Sequence, residues 1–141
     1  MAWSLGVAAL VFASTAAPAR AEPIVAERFG LYVVSDNLAR ATEFYEALLG
    51  KPQLRLPGMV GFNVAGGLYA IVDRKAYAAT AVRGDTVRGY IKVRDIRAAY
   101  RVAQHVALKN LETKVVEEGR FSFFRMRDPD GNVIEFYAIR A

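Results

Sequence analysis

An α+β fold built from one β-α-β-β-β unit used twice is what this sequence predicts, and three observations carry it. The stretches "DNLARATEFYEALLG" (36–50) and "IRAAYRVAQHVALKN" (96–110) each gather apolar residues on one helical face. Each is preceded by one short β-branched or aromatic run and followed by three more. The chain has 141 residues, 54% of them hydrophobic, which is enough for one domain but leaves neither half able to cover its own sheet. The two units, about 28–78 and 85–140, are therefore expected to pack into one curved mixed sheet around a central cavity.

Taken in order, "RFGLYVVS" reads as the first strand. Asp36 or Asn37 then caps a helix that Gly50 ends, with Leu38, Ala41, Thr42, Tyr45, Leu48 and Leu49 facing inward. Pro52, Pro57-Gly58 and Gly66-Gly67 punctuate three strand candidates, "QLRL", "MVGFNVA" and "LYAIVDR". The second unit repeats the order with "VRGYIKVRD" and a helix that turns Ile96, Ala99, Tyr100, Ala103 and Ala107 inward. "KVVEE", "RFSFFRMR" and "NVIEFYAI" follow, the last two joined at Asp130-Gly131. Asp-Gly between apolar runs predicts a hairpin in which both turn residues take positive φ.

The opening "MAWSLGVAALVFASTAAPARAEPI" differs from the rest: an apolar run from Trp3 to Ala13, then small residues, then Ala19-Arg20-Ala21. That triplet has the small-x-small pattern of a signal-peptidase site, and the run is short of the roughly 20 apolar residues a membrane span needs. Residues 1–21 are expected to be a signal peptide cut before Glu22, giving a periplasmic or secreted protein with no membrane attachment after cleavage. An uncleaved anchor and a mis-assigned start codon are the alternatives. The net charge of +5 favours an anionic small ligand over nucleic acid. No cysteine is present, which excludes disulfides, thiolate metal sites and a cysteine nucleophile.

With "NLARATEFYEALLG", "RDIRAAY" and "RDPDGNVIEFY" at these spacings, the chain resembles the vicinal oxygen chelate superfamily, which groups glyoxalase I, bleomycin-resistance proteins and extradiol dioxygenases. The resemblance implies tandem β-α-β-β-β repeats and, in the metalloenzymes, a divalent ion held by four side chains, from the first and last strand of each repeat. Carried over, those positions fall on Gly30, Ala70, Arg88 and Glu135, of which Glu135 alone can bind a metal. The expectation is therefore a protein with no metal and no cofactor. The resemblance also implies a homodimer.

Glu135 is the candidate acid, as a catalytic or ligand-contacting carboxylate or as a structural remnant paired with a base. Arg88 stands at the matching position of the second repeat, so the two are expected to form an ion pair on the former metal site. By strand parity Tyr32, Tyr90, Lys92 and Tyr137 join them as ligand-binding residues in a cavity with aromatic walls and a basic lining. His105, the one histidine, falls on the outer face of its helix. "DPDGN" lacks the spacing of a calcium loop. "RFSFFRMR" mixes bases and aromatics without an RNA-recognition pattern, so it reads as a core and cavity strand. These features favour a binding protein for a small aromatic or anionic molecule. A divergent lyase, isomerase or dioxygenase using Glu135, and a protein whose cavity has closed, are the competing classes.

Overall fold

A computed structural model describes residues 24–84 and 86–140, so the expected signal segment, 1–21, lies outside the described residues. Among these residues eight strands and three α-helices follow one another as β1 (Gly30–Ser35), α1 (Leu38–Leu49), β2 (Leu54–Leu56), β3 (Met59–Val64), β4 (Gly67–Asp73), α2 (Arg74–Tyr77), β5 (Gly89–Lys92), α3 (Ile96–Ala107), β6 (Val116–Glu118), β7 (Phe121–Arg127) and β8 (Val133–Ile139), with one 3-10 turn, Leu108–Asn110, after α3. The short helix α2 is an addition to the expected order. Its cause is local: the Asp73 carboxylate accepts the Ala76 N–H and starts a turn directly off the end of β4.

Both long helices begin and end on residues suited to the task. The Asn37 side chain accepts the Arg40 N–H at 3.0 Å, and Gly50 closes α1 at φ 88°, a region glycine enters without a Cβ penalty. Asp95 accepts the N–H groups of both Arg97 and Ala98, and these hydrogen bonds hold its carboxyl below the usual range.

The strands form two four-stranded mixed sheets, ordered β1-β4-β3-β2 and β5-β8-β7-β6, one from each repeat. In each, the first strand runs parallel to the last and the remaining pairs are antiparallel. The halves are joined by packing. Helices α1 and α3 lie together, and one cluster runs through Tyr45, Phe62, Tyr69 and Ile71 of the first half and Ile96, Phe124, Met126, Ile134 and Phe136 of the second. Burying each such side chain is worth roughly 1.5–3 kcal/mol, so this shared core is the main reason the halves stay together. The Tyr69 ring also occupies the space beside β5: a Cβ on Gly89 would come within 2.8 Å of it.

Hydrogen bonds fasten the same junction. Ser35, at the end of β1, donates to the Asp130 carboxylate at 2.6 Å, and Asp130 also accepts the Asp36 N–H at 3.0 Å. Asp128 accepts from the Tyr45 hydroxyl at 2.9 Å and from the N–H groups of Asp130 and Asn132. Both acids are almost wholly buried, and these donors replace the water they have lost. They also reshape the predicted turn: of Asp130 and Gly131, only Gly131 takes positive φ. The Asp128 side chain organises a five-residue connection in place of a tight two-residue one.

Candidate functional site

Each sheet packs one face on the helices and has a second face away from them, which is partly open to solvent in the second sheet. On β8 the core side belongs to Ile134 and Phe136, so Val133, Glu135 and Tyr137 stand on the open face. Cross-strand pairing adds Tyr90 and Lys92 from β5, and Phe123, Arg125 and Arg127 from β7.

Glu135 has a partner, and it is not Arg88. The Arg125 Nε donates to the Glu135 carboxylate at 2.6 Å, from the residue directly opposite on β7. This bond holds the guanidinium more firmly protonated than usual. Arg125 also stands 3.5 Å from the Glu112 carboxylate, which accepts the Arg125 backbone N–H at 2.8 Å, and its guanidinium lies 4.8 Å from the centre of the Phe123 ring. Arg88 sits one residue before β5, exposed, and its side chain makes no hydrogen bond or ion pair among the described residues. The expected pair fails because a nearer cation already stands across the ladder.

Tyr90 and Tyr137 stack with ring centres 4.0 Å apart and planes 9° from parallel. Partial desolvation, then the nearby Tyr137 and Glu135, push the Tyr90 hydroxyl above its ordinary range. Tyr90 is nevertheless 56% exposed, so the stacked pair presents a ring surface to solvent. Of the expected lining residues, Tyr90, Lys92, Tyr137 and Glu135 share this face. Tyr32 does not: it stands on the open face of the other sheet, beside a small pocket of about 140 Å³ lined also by Arg74 and Arg83. His105 is exposed on α3, as expected.

The residues missed from sequence are Arg125, Phe123 and Glu112. A signal for two of them was present. Counting outward from the hairpin by equal steps sets Arg125 against Glu135 and Phe123 against Tyr137. Glu112 comes from a segment that reaches β7 through one isolated bridge, Leu111 to Met126, and carries no periodic mark.

The register also identifies equivalent positions in the two halves. Tyr32 lies opposite Ala70 as Tyr90 lies opposite Glu135, and two residues earlier Gly30 corresponds to Arg88. Among the described residues no three His, Asp or Glu side chains come together in a way that could hold a metal. Glycine, alanine and arginine offer no donor to a divalent cation, so the residues present do not fit the metal that this arrangement of repeats implies.

The sequence profile of the Glyoxalase/Bleomycin resistance protein/Dioxygenase superfamily matches residues 27–136, and the chain belongs to that family. Solved structures agree on the fold. A glyoxalase/bleomycin resistance protein/dioxygenase from Nocardioides is 22% identical, with a TM-score of 0.65 over 84% of this chain and 87% of its own. A family enzyme from Burkholderia phytofirmans is 16% identical, with a TM-score of 0.66 over 78% and 96%. The protein ATC0852 from Agrobacterium tumefaciens is 19% identical, with a TM-score of 0.66 over 83% and 100%. No curated protein sequence matches the chain.

Proposed function

We propose that this protein is an exported, metal-free binding protein that holds a small aromatic or anionic molecule on the open face of its second sheet. The observation that carries the reading is the solvent-facing Tyr90–Tyr137 stack, flanked by Lys92 and by the Glu135–Arg125 pair. Stacked rings offer a planar ligand a surface, and a neighbouring cation adds attraction for a negative group. The enzyme reading through Glu135 draws less support. Its carboxylate is engaged at 2.6 Å by the Arg125 guanidinium, which ties up one of the oxygens that a general base would present to a substrate.

A homodimer and export belong to the same proposal. Tyr32 and Tyr90 are 57% and 56% exposed on the open faces, where a second copy would close the site. Size measurement in solution checks the dimer. An intact mass that begins at Glu22 checks export with cleavage.

Calorimetry with phenol and benzoate on the mature protein tests the binding reading. Both are expected to bind, and Tyr90→Ala is expected to weaken them by roughly two- to tenfold, the loss of one good stacking contact. Lack of binding, or lactoylglutathione-forming activity that appears on adding Zn²⁺ or Ni²⁺, would overturn it.

A further inference from the structure

Between the two sheets lies an apolar hollow of about 330 Å³ that the shared core does not fill. Its walls come from both halves: Leu31 of β1 with Leu68 and Tyr69 of β4, and Val87, Tyr90 and Ile91 from β5 and the residues just ahead of it. The inner wall is firm, because Tyr69 is almost wholly buried and its hydroxyl is held 3.2 Å from that of Tyr45. The rim is apolar too, with Phe29 81% and Val87 69% exposed. Large apolar side chains gathered in water around one opening mark a binding surface. Arg88 is the one charged residue that lines the hollow. It is exposed, and its side chain makes no hydrogen bond or ion pair among the described residues. The charges that border the hollow are already engaged: Arg28 on Gln53 and the Gly67 carbonyl, and Glu135 on Arg125.

We infer that this hollow binds a monocarboxylate with a hydrocarbon chain, the chain between the sheets and the carboxylate on Arg88. At water's roughly 30 Å³ apiece, 330 Å³ holds about ten heavy atoms, the size of octanoate. One free cation at the rim of an apolar space suits a single charge joined to an apolar body. The chain gains by leaving water, while the carboxylate meets a guanidinium fork and keeps part of its hydration at the open rim. A flexible chain can follow walls drawn from two sheets, whereas the exposed rings of the aromatic stack suit a planar molecule. The hollow shares Tyr90 with that stack, but the inference rests on the hollow and Arg88 and not on the stack.

Calorimetry on the mature protein tests this with butanoate, hexanoate, octanoate, 1-octanol and phenol as probes. Octanoate is expected to bind, and affinity to rise about fourfold with each CH₂ along the acid series. Arg88→Gln should weaken octanoate about three- to fivefold, the worth of an exposed ion pair, and leave octanol unchanged. Val87→Glu sets a carboxylate at the rim beside Arg88 and should weaken octanoate at least as much. Phe29→Ala removes part of the wall and should weaken octanoate and octanol alike, by about threefold. Lys51→Ala, an exposed lysine that does not line the hollow, should change neither. The inference is overturned if octanoate does not bind, or if affinity rises less than about twofold per CH₂. It is overturned equally if octanol loses as much as octanoate to Arg88→Gln, or if Lys51→Ala acts as strongly as the rim variants. Octanoate binding without phenol binding would keep the hollow and sink the aromatic platform, and phenol binding without octanoate binding would do the reverse.

Discussion

Gly61 and Ala70 face each other across β3 and β4 as Arg125 and Glu135 do across β7 and β8. The backbone relation is the same in both sheets and the chemistry is opposite. In the first half Ala70 is 2% exposed, and a Cβ on Gly61 would come within 2.8 Å of Leu68 and 3.3 Å of Leu54. That position is filled with apolar contact and has no room for a charge. In the second half it carries a salt-bridged acid, a stacked tyrosine pair and a lysine. A repeated fold thus fixes where a site can be, and each copy decides by its side chains whether one exists there.

Moving the acid from one half to the other should break the comparison most severely. Ala70→Glu puts a carboxylate at a buried position with no cation opposite, and is expected to cost on the order of 3–5 kcal/mol in urea unfolding. A loss below about 1 kcal/mol would mean that water reaches the first sheet's face after all.

Next in size is the pair in the second half. Arg125→Ala should cost about 1–3 kcal/mol because Glu135 and Glu112 lose their shared cation while keeping some access to water. Glu135→Gln should cost less. A double-mutant cycle is expected to show a coupling of about 0.5–3 kcal/mol, and strictly additive losses would show that the 2.6 Å contact contributes nothing to stability.

Tyr45→Phe tests the junction that both halves share. It removes one donor from buried Asp128 and should cost about 1–2 kcal/mol at neutral pH. Burial raises the hydroxyls of Tyr45 and Tyr69 above their ordinary range; the Asp128 charge pushes the same way. A raised folded-state value means that stability is complete below the unfolded value of about 10 and falls as pH rises beyond it. The variant's alkaline decline in melting temperature should therefore be shallower than the parent's.

Arg88→Ala should have the smallest effect, within about 0.5 kcal/mol, because the side chain is exposed and unpaired among the described residues. A larger loss would restore Arg88 as a structural partner of Glu135.

Periodicity made the fold legible. The helices begin within two residues of Asp36 and at Ile96, and Tyr45 and Ala103 are wholly buried where the wheel placed them. The shared face of the candidate site was legible, since strand parity placed Glu135, Tyr137, Tyr90 and Lys92 together. It went astray at Arg88, where position within a repeat was weighed above cross-strand distance. Hairpin counting would have corrected that and named Arg125. The roles of Asp128 and Asp130 lay beyond periodicity, because a turn sequence announces its bend and not the distant hydroxyls it collects.

One of those hydroxyls has a consequence for how the chain is made. Ser35 and Asp130 are separated by 95 residues, yet they form a buried hydrogen bond that ties the first strand to the last hairpin. Contacts of such long range close late and slow folding, because the loop entropy is spent before the contact returns anything. Until residues 128–132 have emerged from the ribosome, Ser35 and Tyr45 lack their carboxylate partners and the first sheet lacks half of its core. The newborn chain therefore cannot complete its shared core until that hairpin is available to it.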